Sequence, residues 1–152
     1  MSAWDRLVAA SESERIDLDP GEVRVLLGID GPATIKEFRA RLESFHPHAF
    51  RHVMLRVYWD DNLTPAIEAP LAEFFGSSFG PTVYHSLPMG KTTDWFYSRW
   101  RMPFRRHARF MISNDSPFPA TVRAKLVWEK GPLPENAAYF HARWRRDPTS
   151  RA

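Results

Sequence analysis

An aromatic stretch that contains arginine is the segment of this chain best suited to hold a ligand. Residues 95–101 read Trp-Phe-Tyr-Ser-Arg-Trp-Arg and follow a polar loop. Flat aromatic faces suit stacking on sugar rings, and a guanidinium can donate hydrogen bonds to hydroxyl groups. Trp95, Tyr97, Trp100 and Arg101 are therefore the candidate ligand-binding residues. Because aromatic side chains and arginine are also enriched at protein interfaces, burial in the core or at a subunit contact is the favoured alternative.

Carboxylates are the candidates for acid and base chemistry. Cleavage of a glycosidic bond needs two carboxyl groups about 5–9.5 Å apart, and the candidates are Asp60, Asp61, Glu68, Glu73 and Asp94. Asp60 and Asp61 stand in a strand-end loop, a common place for ligand sites, and they are candidate ligand-binding residues as well. A hairpin turn stabilised by their side chains is the favoured alternative. Glu68 precedes a proline and is better explained as an acid near a helix N-terminus. No catalytic residue is assigned.

Histidines offer a second kind of chemistry, and the chain has no cysteine. His46 and His48 flank a proline, and His52 follows soon after. This spacing can place two imidazoles on one side of a strand, but no carboxylate ligand is evident near them in the sequence. We therefore predict no metal site. No cofactor is predicted either, since the sequence has no glycine-rich phosphate loop, dinucleotide fingerprint or Ser-His-Asp order.

Composition and charge limit the class of protein. The 152 residues suit one domain, and 43% hydrophobic residues with 14% aromatics are enough for a core. The net charge is +3. The basic segment at residues 99–109 is better explained by a solvated strand face with salt bridges than by phosphate binding, so we expect no nucleic acid as partner. The absence of a membrane-length apolar run and of a secretory leader favours a cytoplasmic location without membrane attachment.

The order of apolar and polar residues predicts an all-β domain. Alternation with a period of two recurs along the chain, as expected of strands with one buried face. The predicted strands cover residues 22–29, 37–43, 53–60, 108–113, 121–128 and 138–145. Turn residues separate them. Short strands at this spacing favour a single jelly-roll sandwich over a parallel α/β fold, which needs crossover helices.

The sequence divides into three parts. We predict a short N-terminal arm over residues 1–21, the jelly-roll domain over residues 22–147 and a C-terminal tail over residues 148–152. A capping pattern at the start of the arm favours one or two helical turns over residues 3–10. Within the domain, residues 70–76 (PLAEFFG) predict a short helix with proline near its start and glycine just past its end.

Five segments together resemble one known family. They match in order and spacing, and they are residues 30–43 (DGPATIKEFRARLE), 53–80 (VMLRVYWDDNLTPAIEAPLAEFFGSSFG), 86–90 (SLPMG), 102–115 (MPFRRHARFMISND) and 138–147 (AYFHARWRRD). The family that they resemble is glycoside hydrolase family 172, formerly the domain of unknown function 2961. The pattern YWD…TP…E.PL..FFG is the most specific part.

The resemblance implies a fold and a mode of assembly. Members of the family are double jelly rolls that form rings of three chains with near-sixfold symmetry, and they include difructose-dianhydride-forming enzymes and α-fructofuranosidases. The present sequence resembles only the first jelly roll, so none of the family's catalytic glutamates is matched to a position here. A single jelly roll in place of each half would form a true homo-oligomer, a ring of three to six copies, because exposed strand edges need covering.

These expectations lead to one interpretation and two alternatives. The leading interpretation is a homo-oligomeric assembly module of this lineage that also contacts carbohydrate. One alternative is a fructosidase-like glycoside hydrolase whose active site forms between subunits. The other is a capsid-like structural shell protein, which rests on fold analogy alone.

Overall fold

The computed structural model describes residues 10–44, 46–47, 49–77 and 82–147, and there the chain folds into two stacked β-sheets. The all-β sandwich predicted from the alternation is therefore confirmed. The elements in chain order are β1 (Ala10–Leu18), β2 (Val23–Asp30), β3 (Ala33–Glu43), α1 (Ala49–His52), β4 (Val53–Trp59), β5 (Ile67–Pro70), α2 (Leu71–Phe74), β6 (Tyr84–His85), β7 (Met89–Lys91), β8 (Phe96–Ser98), β9 (Met102–Phe104), β10 (His107–Asn114), β11 (Ala120–Lys130) and β12 (Ala142–Arg143). In this part of the chain no helix has the length and apolar character needed to span a membrane.

The two sheets are joined in the manner of a jelly roll. One sheet has the order β1-β11-β3-β8-β7-β6, with β9 paired to the start of β3, and the other has the order β12-β5-β4-β10-β2. The antiparallel pair β3–β11 in the first sheet continues through its connections into the pair β4–β10 in the second. A jelly roll wraps one antiparallel ribbon around two sheets in this way.

The predicted inward residues form the core. In β4, Val53, Leu55, Val57 and Trp59 are buried, and the residues between them are partly exposed. The same alternation holds along β3 and β11, whose apolar faces meet those of β4 and β10. Full burial of a large apolar side chain contributes about 1.5–3 kcal/mol, so the pattern fixes both the register and the stacking of the sheets.

Helix α2 closes one part of this core, as the sequence predicts. Pro70 is its N-cap. Gly76, just past its end, has a φ of +75°, a left-handed conformation that glycine adopts without steric cost. The rings of Phe74 and Phe75 contact Phe38 of β3 with centroid distances of 6.0 and 5.2 Å. The helix therefore delivers two aromatic rings to the centre of the sandwich.

The sheet begins earlier in the chain than the predicted arm would allow. Residues 10–18 form β1, which pairs with β11 along its full length. Over residues 11–18, for which the structure describes burial, Ile16 and Leu18 are the only buried apolar residues, so the sequence has no regular alternation to reveal this strand. The helix predicted over residues 3–10 lies outside the described residues except for Ala10, which is in the strand. The predicted tail, residues 148–152, also lies outside them.

The strand predicted over residues 138–145 is reduced to the two residues of β12. Its ladder consists of the Ala142 N–H donating to the Ala66 carbonyl and the Trp144 N–H donating to the Glu68 carbonyl. The apolar residues of this segment stay partly or largely exposed because they cover the side of the sandwich instead of its interior. The prediction of a full strand here was therefore wrong.

Gly90 in β7 lies close to Tyr97 and Tyr84, and this close approach provides a test of the packing. A Cβ atom at Gly90 would overlap the Tyr97 hydroxyl and lie 2.6 Å from the Tyr84 carbonyl oxygen. We predict that Gly90→Ala lowers the free energy of unfolding by about 1–3 kcal/mol or more, as overpacking does. The control is Gly131→Ala, where a Cβ would meet nothing within 4 Å. Urea unfolding measures both variants, and equal stability would contradict the packing described.

Candidate functional site

The two aspartates after β4 form a tight turn. Asp60 and Asp61 have φ values of +51° and +61°, and the Asn62 N–H donates a 3.1 Å hydrogen bond to the Trp59 carbonyl. Two consecutive left-handed residues are the pattern of a type I′ turn, and aspartate adopts this conformation more readily than most residues. The turn that the sequence favoured for this pair is present.

The Asp60 carboxylate ties this turn to two other segments. Its Oδ1 accepts hydrogen bonds from the backbone N–H groups of Arg106 (2.6 Å) and His107 (3.1 Å), and the Tyr139 hydroxyl donates to Oδ2. Burial opposes the charged form, but the three hydrogen bonds and the nearby Arg106 guanidinium outweigh it and lower the pKa of Asp60. An ionised carboxylate with all these partners acts as a structural clamp.

The aromatic stretch is divided between the core and the surface. Tyr97, in β8, is buried, and the Arg99 guanidinium lies over its ring at 4.7 Å. Trp95 is half-buried in the turn before that strand. Trp100 and Arg101 follow the strand and are exposed. The structure therefore keeps Trp100 and Arg101 available to a ligand and places Tyr97 among the packed residues.

The remaining candidate carboxylates have different surroundings. Glu68 lies within β5 and pairs with Arg56 of β4, with 2.8 Å between Oε2 and Nε, so the assignment to a helix N-terminus was wrong. The pairing of β5 with β4 decides the position of Glu68, and the proline that follows in the sequence does not indicate this pairing. Asp94 is exposed, with a carboxylate oxygen 4.0 Å from the Arg41 guanidinium. Glu73 lies in the first turn of α2 and is half-buried.

A cleft lined with aromatic side chains opens on the side of the sandwich where β7 and β12 lie. We call it the aromatic cleft, and it encloses about 240 Å³. Its walls are Glu73, Met89, Trp100, Phe140, Arg143 and Trp144, over Ala69, Phe74 and Ala142. Because β7 and β12 belong to different sheets, the cleft bridges the two layers.

The geometry of the aromatic cleft suits a small polar ring. The Trp100 and Phe140 rings are 5.9 Å apart between centroids, and Trp100 and Trp144 remain 41% and 40% exposed. The Glu73 carboxylate makes no hydrogen bond or ion pair with any other residue that the structure describes. Indole faces can stack on a ring while the carboxylate accepts hydrogen bonds from hydroxyl groups. The cleft thus combines stacking surfaces with an uncommitted acceptor.

The segment after β11 connects the aspartate turn with the aromatic cleft. Tyr139 donates to Asp60, whereas the next residue, Phe140, directs its ring towards Trp100. The Phe140 carbonyl also accepts a 2.8 Å hydrogen bond from Trp59 Nε1. The candidate residues from the sequence therefore lie at two places, the aspartate turn and the aromatic cleft. Asp60 supports the cleft wall through its hydrogen bond with Tyr139.

A larger cleft of about 620 Å³ lies at one end of β1, β3 and β11. Its described lining includes Asp17, Asp19 and Glu43 but no aromatic side chain. Two of these acids form ion pairs, Asp17 with Arg15 and Glu43 with Arg123. Without a stacking surface, this cleft suits a ring-shaped ligand less well than the aromatic cleft does.

The histidines that could have suggested a metal site are dispersed. His46 stacks on Phe118 with 3.8 Å between ring centroids. His52 ends helix α1, and His48 lies outside the described residues. Within the described ranges no group of three or more histidine, aspartate or glutamate side chains is arranged to hold a metal ion.

Comparison with known families gives a match that covers most strands of both sheets. Residues 9–127 match the family model described as GH172 domain-like. The chain belongs to this family. The resemblance to glycoside hydrolase family 172 seen in the sequence is therefore confirmed, whereas no curated protein matches the chain. The match ends within β11, so Phe140, Arg143 and Trp144 of this GH172 domain lie beyond it.

The clamp at Asp60 can be tested with a matched pair of variants. Asp60→Asn should lower the free energy of unfolding at pH 7 by about 1–2 kcal/mol, because a charged acceptor of several hydrogen bonds is lost. Asp61→Asn is the control, since Asp61 shares the left-handed conformation but is exposed. Urea unfolding measures both, and an equal loss in the two variants would contradict the clamp.

The same pair should show a defined pH dependence. Because folding lowers the pKa of Asp60, its stabilisation is complete above the unfolded-state value of about 3.9. The stabilisation disappears as the pH falls through the folded-state value. The stability difference between the parent and Asp60→Asn should therefore shrink below about pH 4. A difference that is constant from neutral pH to pH 3 would contradict the lowered pKa.

Proposed function

We propose that this GH172 domain is an assembly module that binds carbohydrate in the aromatic cleft and associates with copies of itself. The observation that carries the first part is the juxtaposition of exposed Trp100 and Trp144 with the uncommitted Glu73 carboxylate. The membership in a glycoside hydrolase lineage supports a sugar as the ligand class. Fructosides are the sugars to examine first, because the family resemblance implies them.

The size and chemistry of the aromatic cleft support a single sugar ring. Its volume of about 240 Å³ is below the ~300 Å³ at which pockets for drug-sized molecules begin. The apolar C–H face of a sugar would lie on an indole, and its hydroxyl groups would meet the Glu73 carboxylate and the Arg143 guanidinium. Phe140 and Phe74 make the inner wall apolar, so the polar contacts fix orientation at the rim.

Substitution of the two tryptophans tests this proposal. We predict that Trp100→Ala and Trp144→Ala each weaken binding of D-fructose or of a difructose at least about tenfold, because each removes a stacking surface that is largely desolvated on binding. Calorimetric or NMR titration of the folded protein measures the dissociation constant. Phe118→Ala, at an exposed aromatic residue outside the cleft, is the control and should leave the dissociation constant unchanged. Equal affinity in all three variants would contradict the proposal.

The second part of the proposal, self-association, is supported by strand edges. Among the described residues, β1 pairs only with β11 and β2 only with β10, so the outer edge of each strand is open. Val23 and Val25 on β2 are 58% and 53% exposed. Long open edges are usually covered, and cyclic association of identical chains covers them. The proposed assembly is a ring of three to six copies.

A glycoside hydrolase with an active site between subunits is the second candidate function. The observation that favours it is Glu73, an acid beside aromatic walls whose carboxylate has no polar partner among the described residues. Glu73 is the one carboxylate among the described residues of the cleft, and hydrolysis needs two. A neighbouring copy would therefore have to supply the second carboxylate.

Hydrolysis can be distinguished from binding by one conservative variant. If the domain hydrolyses a fructoside, Glu73→Gln should reduce the rate at least about 100-fold while sugar binding changes little, because the amide keeps the shape but loses acid–base function. Glu135→Gln, at an exposed glutamate outside the cleft, is the control. A fructosidase activity of the parent protein that survives in Glu73→Gln would contradict this candidate.

A further inference from the structure

One side of the sandwich carries acids that have no ion-pair partner in the described part of the chain. We call this side the acidic edge, and it consists of β1, β2 and the turn that joins them. Glu12, Glu14 and Asp19 are exposed there and form no ion pair with any described residue. Residues 10–25 hold five acids and two arginines, a net charge of −3.

The opposite side of the sandwich carries several arginines that pair with no acid in the ranges that the structure describes. We call it the arginine edge, and it consists of Arg101 and the segment 141–147 along β12. Arg101, Arg143 and Arg146 are exposed, and no described residue forms an ion pair with them. Residues 141–147 contain three arginines and one aspartate, a net charge of +2.

The topology separates these two edges by the full width of the molecule. In the five-stranded sheet, β2 is the strand at one end and β12 is the strand at the other. In the seven-stranded sheet, β1 is the terminal strand on the side of β2. The acidic edge also presents apolar area, from Val23 and Val25.

We infer that the acidic edge of one copy binds the arginine edge of the next copy in a head-to-tail contact. The inference rests on the proposed self-association and names the surfaces that produce it. Two acidic edges repel each other, and so do two arginine edges, which disfavours a twofold contact of either edge with itself. A contact between unlike surfaces is heterologous and closes into a ring when its rotation permits.

The head-to-tail contact makes the association sensitive to salt. Exposed charges are screened within about 8 Å at physiological ionic strength. Sedimentation or light scattering at about 50 and about 500 mM NaCl should therefore show association that weakens at least about tenfold at the higher concentration. A parent protein that stays monomeric at both concentrations, or an oligomer indifferent to salt, would overturn the inference.

Charge reversal on each edge tests whether the acidic edge and the arginine edge form the contact between copies. Glu12→Lys with Glu14→Lys, or Arg145→Glu with Arg146→Glu, should each weaken self-association about tenfold or more, because like charges then face each other. Neither pair contains a residue that lines the aromatic cleft. The matched control is Arg51→Glu with Lys130→Glu, two exposed basic residues on neither edge, which should leave association unchanged. An equal effect of the control would contradict the assignment.

Mixing the variants distinguishes a head-to-tail contact from other arrangements. A chain carrying all four substitutions should associate with itself again, since every contact then joins opposite charges whatever the number of copies in the ring. The two edge variants mixed in equal amounts should associate again in a ring with an even number of copies, where they can alternate. A chain with all four substitutions that stays dissociated would overturn the inference. Binding of D-fructose by the dissociated Glu12→Lys, Glu14→Lys variant is measured separately, so failure of the contact and failure of sugar binding give different results.

Discussion

The inward faces of β3, β4, β10 and β11 can leave water only if the two sheets stack, and the rest of the molecule depends on this constraint. Phe38, Trp59 and Phe110 are fully buried where these faces meet, and their rings contact one another in pairs. Stacking leaves the ends of both sheets as open sides. The aromatic cleft, the acidic edge and the arginine edge all lie on those sides, so the features proposed to bind partners are consequences of how the core is closed.

How far the sequence predicts the fold depends on where each strand lies. The central strands bury every second residue, and their alternation reveals them. Alternation does not predict β1, because Ile16 and Leu18 are the only apolar residues described as buried on this edge strand. The segment at 138–145 alternates well, yet most of its apolar residues cover the side of the sandwich, where only two positions join a ladder. Alternation reports a half-buried surface and does not distinguish the face of a sheet from its flank.

The candidate site shows the same limit. The sequence identified Trp100 and Glu73 separately, but nothing in their spacing joins them to Phe140 and Trp144, because the jelly-roll connections bring these residues together from distant segments. It also could not separate two kinds of carboxylate. Asp60 is committed to hydrogen bonds that lower its pKa, whereas Glu73 has no polar partner among the described residues. The aromatic cleft joins residues of the family-matched region to a segment beyond it.

Indole N–H resonances of the six tryptophans provide the most direct test that the aromatic cleft binds a sugar ring. Trp100 and Trp144 line the cleft, whereas Trp128 is buried in the core away from it. In a titration of the ¹⁵N-labelled protein with D-fructose or a difructose, the signals of Trp100 and Trp144 should shift and saturate together, and the signal of Trp128 should stay fixed. Saturating shifts confined to other tryptophans, or no shift at all, would contradict the account.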